Sequence, residues 1–182
     1  MYVLSPDEKI WLLDEVVSTA TASWHIYILA YDKFSNWPDD LQDGPEYTGY
    51  TTVRTLLSHG LMSACYAAVD SGQKSYSIHH AKDDPALVVS ELARRESKRC
   101  LKLRPKIATY RNNVTAHVNT KRKQSDWAEF ADIKNGEIDT FLNSARAFVE
   151  ELGKANLGSH FLASSRMQFQ HDFREFCRAL LD

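Results

Sequence analysis

The chain has 182 residues, of which 43% are hydrophobic and 25% charged, a size and balance that suit one domain with its own core and argue against wholesale disorder. No apolar run approaches the roughly 20 residues that a bilayer span requires, and the start of the chain lacks a basic, apolar leader, so a cytoplasmic protein without membrane attachment is expected. Cys65, Cys100 and Cys177 lie far apart, which fits neither a disulfide framework nor a zinc site, and they are expected to be reduced core thiols.

In chain order, Ser5-Pro6-Asp7-Glu8 reads as a capping box with proline in the first helical turn. Ile10, Leu13, Val17, Ala20, Trp24, Tyr27, Ile28, Tyr31 and Phe34 then recur at threes and fours, predicting a long helix over 6–35. Residues 36–46 hold two prolines, a glycine, three aspartates and a glutamate and read as a loop. A second helix is expected over 48–71, with Val53, Leu57, Leu61, Ala64 and Ala68 on one face and Gly72 as its stop. After a polar linker, Asp84-Pro85 should restart helix, with Leu87, Val88 and Leu92 opening its apolar stripe and Pro105 kinking or splitting it. Ile107, Tyr110, Val114 and Val118 continue that face to about Asn119. A short turn of helix is expected near 127–131. A further helix carries Ile138, Phe141, Leu142, Ala145, Phe148, Val149 and Leu152, with Gly153 or Gly158 as its end, and a last one spans 164–181. No segment reads as strand, so the expected fold is all-α, an antiparallel bundle of four to five helices forming a single domain over 1–182.

The net charge of −2 conceals an asymmetry: residues 94–123 hold 11 of the 22 lysines and arginines but, in Glu96, only one of the 24 acids. That segment is strongly positive and the remainder strongly negative, a distribution that favours a polyanionic partner. A solvated helix face balanced by acids from neighbouring helices is the alternative.

Near the end of the basic segment stands Tyr110-Arg111-Asn112-Asn113-Val114-Thr115-Ala116-His117. It resembles the arginine–polar–x(3–5)–histidine motif of the HEPN superfamily, small helical bundles that include toxin and phage-defence ribonucleases. Asn112 fills the polar position after arginine, and the helix order is similar too. Two other pairs at this spacing, Arg54–His59 and Arg166–His171, are followed by Thr55 and Met167 and fit the pattern less well. The resemblance implies a metal-independent endoribonuclease, without cofactor, acting on tRNA or other structured RNA and leaving 2′,3′-cyclic phosphate ends. It also implies a homodimer, in which two motif helices line one cleft, and an antitoxin protein as a further partner.

The chemistry suits these side chains. RNA carries its own nucleophile, so cleavage needs proton transfer at the 2′-hydroxyl and the leaving 5′-oxygen, and positive charge at the phosphate. His117 can exchange protons near neutral pH, Arg111 offers a permanently charged planar fork for phosphate oxygens, and Asn112 can orient either of them. Lys121, Arg122, Lys123, Arg104 and Lys106 are the candidates for holding the RNA backbone. On an ideal helix Arg111 and His117 lie roughly 120° apart, so their convergence needs a frayed helix end, a reaching arginine or a second subunit. Other readings stay open: an interior, hydrogen-bonded His117, an ion-paired surface Arg111, and a non-catalytic or purely structural bundle. Asn113-Val114-Thr115 matches a glycosylation acceptor only by accident, and His79-His80 lacks a third metal ligand and reads as loop.

Overall fold

The capping box at the start of the chain forms as the sequence indicates. Ser5 Oγ accepts from the Glu8 amide at 3.2 Å, and the Ser5 amide donates to Glu8 Oε2 at 2.7 Å, so two of the first turn's donors and acceptors satisfy each other. The structure is a computed structural model and describes residues 4–34, 45–111, 133–161 and 175. Its elements are α1 (Pro6–Phe34), α2 (Pro45–Val69), a single short turn α3 (Ile78–Ala81), α4 (Glu91–Tyr110) and α5 (Asn135–Leu157). Every element among the described residues is helical, as expected of an all-α fold.

The four long helices form a closed ring in which α1 packs on α2 and α5, and α4 packs on α5 and α2. Side-chain contacts fix their directions. Trp24, late in α1, donates its indole N–H to Asp139 in the second turn of α5 at 2.8 Å, while Trp11 meets Phe161 just beyond the end of α5. The Cys100 thiol of α4 donates to the Phe141 carbonyl of α5 at 3.6 Å, and Lys106 reaches Glu137. Both pairs of helices are therefore antiparallel, the arrangement that joins amphipathic helices through short connections.

The core takes Ile10, Leu13, Val17, Ala20 and Trp24 from α1, and Leu61, Cys65 and Ala68 from α2. Cys100, Leu103 and Ile107 enter from α4, and Phe141, Ala145, Phe148 and Leu152 from α5. Cys65 and Cys100 are free, buried thiols, and burial pushes the Cys65 thiol up to about 12. Two glycines have distinct jobs. A Cβ on Gly153 would lie 2.0 Å from the Phe161 ring, so only a bare backbone lets that ring close the end of the core. Gly158, at φ 113°, takes the backbone that an L side chain disfavours and ends α5 there.

Several expectations need correction. α2 begins at Pro45, inside the segment read as loop, because proline is suited to a first helical turn. It stops at Val69, and Asp70 turns the chain by accepting the Gly72 amide at 2.9 Å. The linker contains α3, capped by the Ser77 side chain. Asp84-Pro85 forms a turn, not a helix start; α4 begins after Ser90, whose Oγ accepts from the Ala93 amide at 3.1 Å. Val88 and Leu92, expected in the stripe, are 64% and 40% exposed. The backbone of Val88 is instead clamped by Asn156, which accepts from its amide and donates to its carbonyl, each at 2.9 Å. Val53, expected on the buried face of α2, is exposed as well. α4 runs unbroken through Pro105, which sits on its exposed side. The turn expected near 127–131 and, apart from Glu175, which is helical, the helix expected over 164–181 lie outside the described residues, as does Cys177. No described helix is long and apolar enough to cross a membrane.

Candidate nucleic-acid interface

α4 owes its position to a narrow apolar face, and the rest of its circumference carries cations that part in three directions. The first group serves Glu96, which is only 5% exposed and faces the α4–α5 seam. Burial opposes ionisation of this carboxyl, but bonds from Arg95, Ser144 and Arg99 outweigh it, so Glu96 titrates below the usual range. Arg99 donates to both carboxylate oxygens, at 3.0 and 3.2 Å, and Arg95 to one, at 3.2 Å. These two arginines offset the charge of a buried acid, which would otherwise be costly.

The second group lies towards the C-terminal end of α4. Arg104 donates from Nε to the Val69 carbonyl at 3.1 Å and from its terminal nitrogen to the Ser71 hydroxyl. It therefore supplies a donor and a positive charge to the carbonyl end of α2, where the helix lacks both. Two positions on, roughly 200° around the helix, Lys106 points the other way and joins Glu137 at 2.9 and 3.2 Å. Both had been candidates for RNA contact, and each has an intramolecular partner.

Arg111 closes α4, in helical conformation at its C-cap. Its guanidinium carbon stands 5.0 Å from the centre of the Tyr66 ring on α2, and the side chain is exposed. Arg104 and Arg111 are seven residues apart, two turns on nearly the same face. The Tyr66 hydroxyl shares a hydrogen bond with Asp70. Burial and that carboxylate push the phenol up, while Arg111 and Arg104 pull it down. Burial also works against ionisation of Asp70, but the Gly72 amide, the Ser75 hydroxyl and Tyr66 prevail and hold it below the carboxylate range. The arginine thus rests on a tyrosine whose oxygen is itself anchored. Beside it, Tyr110 is half-buried, with its ring edge-on to His59 at 6.3 Å, and burial raises its pKa. Asn112, His117, Lys121, Arg122 and Lys123 lie outside the described residues, so of the proposed catalytic set the structure places Arg111.

The third group was not singled out by its sequence. Arg94, Lys98 and Lys102 recur every fourth residue, a spacing that keeps them within about 80° of one another around α4. With Lys82 and Asp83 beyond α3, and with Ser97 and Leu101, they line a groove of about 400 Å³. Lys82 pairs with Asp83 and is the main reason that this carboxyl titrates low. Lys98 and Lys102 have no ion-pair partner among the described residues. The four-residue period was visible in the sequence, whereas Lys82 reads there as linker and joins the groove only through the turn after α3. His79 is held below the usual histidine range, first by burial and then by Arg104, His80 and Lys82. Among the described residues no three histidines, cysteines or acids are placed to share a metal ion.

No family model, curated protein or solved structure matches the chain.

Proposed function

We propose that this chain is a HEPN-type endoribonuclease that cleaves RNA without a metal ion. The observation that carries the reading is Arg111: a guanidinium exposed at the end of the third long helix of an antiparallel bundle, braced over Tyr66 and directly preceding Asn112 in the motif. In this reading Arg111 anchors the scissile phosphate, Asn112 orients it, and His117 moves the proton. The 2′-oxygen forms a bond to phosphorus and the bond to the 5′-oxygen breaks. The proton released from the 2′-hydroxyl is taken up by one imidazole, and the 5′-oxygen leaves as a hydroxyl after receiving a proton from another. The two imidazoles would come from two copies of the chain, which makes a homodimer part of the proposal. Lys121, Arg122 and Lys123 would hold the RNA backbone. Arg104 and Lys106, with their contacts to Val69, Ser71 and Glu137, would serve the bundle that carries the site.

The test is incubation of the purified protein with end-labelled tRNA in excess EDTA. The expected products carry 2′,3′-cyclic phosphate and 5′-hydroxyl ends, and His117→Ala abolishes them. A second reading, a module that binds RNA without cutting it, is favoured by the position of Lys98 and Lys102, which lie away from Arg111 and require no chemistry to hold a phosphate. RNA that is retarded in a gel but stays intact would select it.

A further inference from the structure

From the groove between the α3 turn and α4 we infer a second RNA-binding site, one that grips the phosphate backbone through Arg94, Lys98 and Lys102 on the side of α4 away from Arg111. The inference rests on the RNA reading above but not on cleavage. Four cations and one carboxylate border the groove, and that carboxylate, Asp83, is already paired with Lys82. The surplus therefore lies on the α4 wall. There the cations form a row, each step rising about 6 Å along the helix axis, comparable with the separation of successive phosphates in one strand. A row of this kind matches a continuous polyanion better than a single anion, which would call for charges converging on one point. Leu101 lines the same wall, an apolar surface suited to sugar and base, while Ser97 is buried and its hydroxyl donates to the Arg94 carbonyl at 2.8 Å. A concave lining of this kind suits a strand lying in it better than a flat lipid surface.

The groove lies well away from the motif. Lys102 and Arg111 are nine residues apart, about 14 Å along the axis and about 180° around it. A short oligonucleotide held at Arg111 would not reach the groove, whereas a folded RNA passing over the end of the bundle would. The site should therefore add affinity for long or structured RNA and little for a fragment of a few nucleotides.

The test compares two variants of equal charge, Lys98→Gln/Lys102→Gln in the groove and Lys74→Gln/Lys134→Gln elsewhere, in binding to labelled tRNA between about 50 and 200 mM salt. Loss of two backbone contacts should flatten the slope of log affinity against log salt by about 1.4 and weaken binding about 25-fold at 0.1 M salt. The distant pair should stay close to wild type, and Lys98→Arg/Lys102→Arg should restore binding. Equal behaviour of the two glutamine variants, or wild-type protein that does not retard tRNA at low salt, overturns the inference. Cleavage in EDTA, followed in the same samples, separates the two proposals. RNA that depends on the groove but stays intact supports the groove and removes the nuclease; RNA cut by a groove variant that binds like wild type does the reverse.

Discussion

The two walls of α4 carry similar charge and use it differently. Towards α2 and α5, Arg104, Lys106, Arg95 and Arg99 meet a carbonyl end, a first-turn glutamate and a buried acid. Towards solvent, Lys98 and Lys102 meet none of these among the described residues, and Arg94 makes a long contact of 3.5 Å with the Lys82 carbonyl and helps to hold the Asp83 carboxyl low. A count of basic residues therefore overstates what is available to a partner, because part of that charge holds the bundle together. Arg111 stands between the two cases: it is stacked on Tyr66 and still exposed.

The sharpest way to test the division is to remove one arginine from each role. Arg111→Ala should cost about 100-fold or more in RNA cleavage, the scale at which loss of one phosphate-directed donor is felt, with the denaturation midpoint little changed. Arg111→Lys should not recover the rate, since a point charge does not replace a planar fork. Arg104→Ala should do the opposite, lowering stability in urea by about 2 kcal/mol as the hydrogen bonds of a charged group to Val69 and Ser71 are lost. Its cleavage rate at a temperature where it is folded should stay near wild type. A reversal of these outcomes would mean that the cation assigned to the fold belongs to the site.

How far the sequence could reveal this division follows from what each signal measures. Apolar period locates buried faces, and so the stripes of α1 and α5 and the antiparallel bundle were legible, down to the Ser5–Glu8 capping box. It fails where backbone is held by a distant side chain, as Asn156 holds Val88, because no local pattern records a partner 68 positions away. It fails likewise at Pro105, where rules for an isolated helix predict a break and the exposed side of a packed helix tolerates the ring. For the site, the motif pointed to Arg111 and the charge run to α4. Which cations were already engaged could not be read, since Glu137 and the carbonyl end of α2 come to α4 only through the fold.

The groove wall offers the next test. Asp84 follows Lys82 and Asp83 and ties their turn to α1 and to Tyr76, accepting from Lys9 at 2.7 Å and from the Tyr76 hydroxyl at 2.8 Å. Burial opposes its ionisation, but Lys9, the Ala86 amide and Tyr76 prevail and depress its pKa. A depressed carboxyl contributes stability that is present above its unfolded value, about 3.9, and is lost as pH falls through the folded value. Asp84→Asn should therefore melt below wild type at neutral pH, by the equivalent of about 1–2 kcal/mol, and the gap should close as the pH is taken below about 4. A gap that persists undiminished in acid would assign the loss to geometry and not to charge.

The smallest effect concerns the support beneath Arg111. Tyr66→Leu removes the ring from under the guanidinium and should cost about 0.5–1 kcal/mol in stability, the usual worth of an exposed cation–π contact. Tyr66→Phe keeps the ring and loses only the bond to Asp70. If the tyrosine braces the arginine through its face, phenylalanine should keep most of the cleavage rate and leucine should lose several-fold, without change in binding through the groove. Equal losses from both would place the hydroxyl, and with it Asp70, in direct charge of the guanidinium, so that the brace would run from the turn after α2 and not from the helix itself.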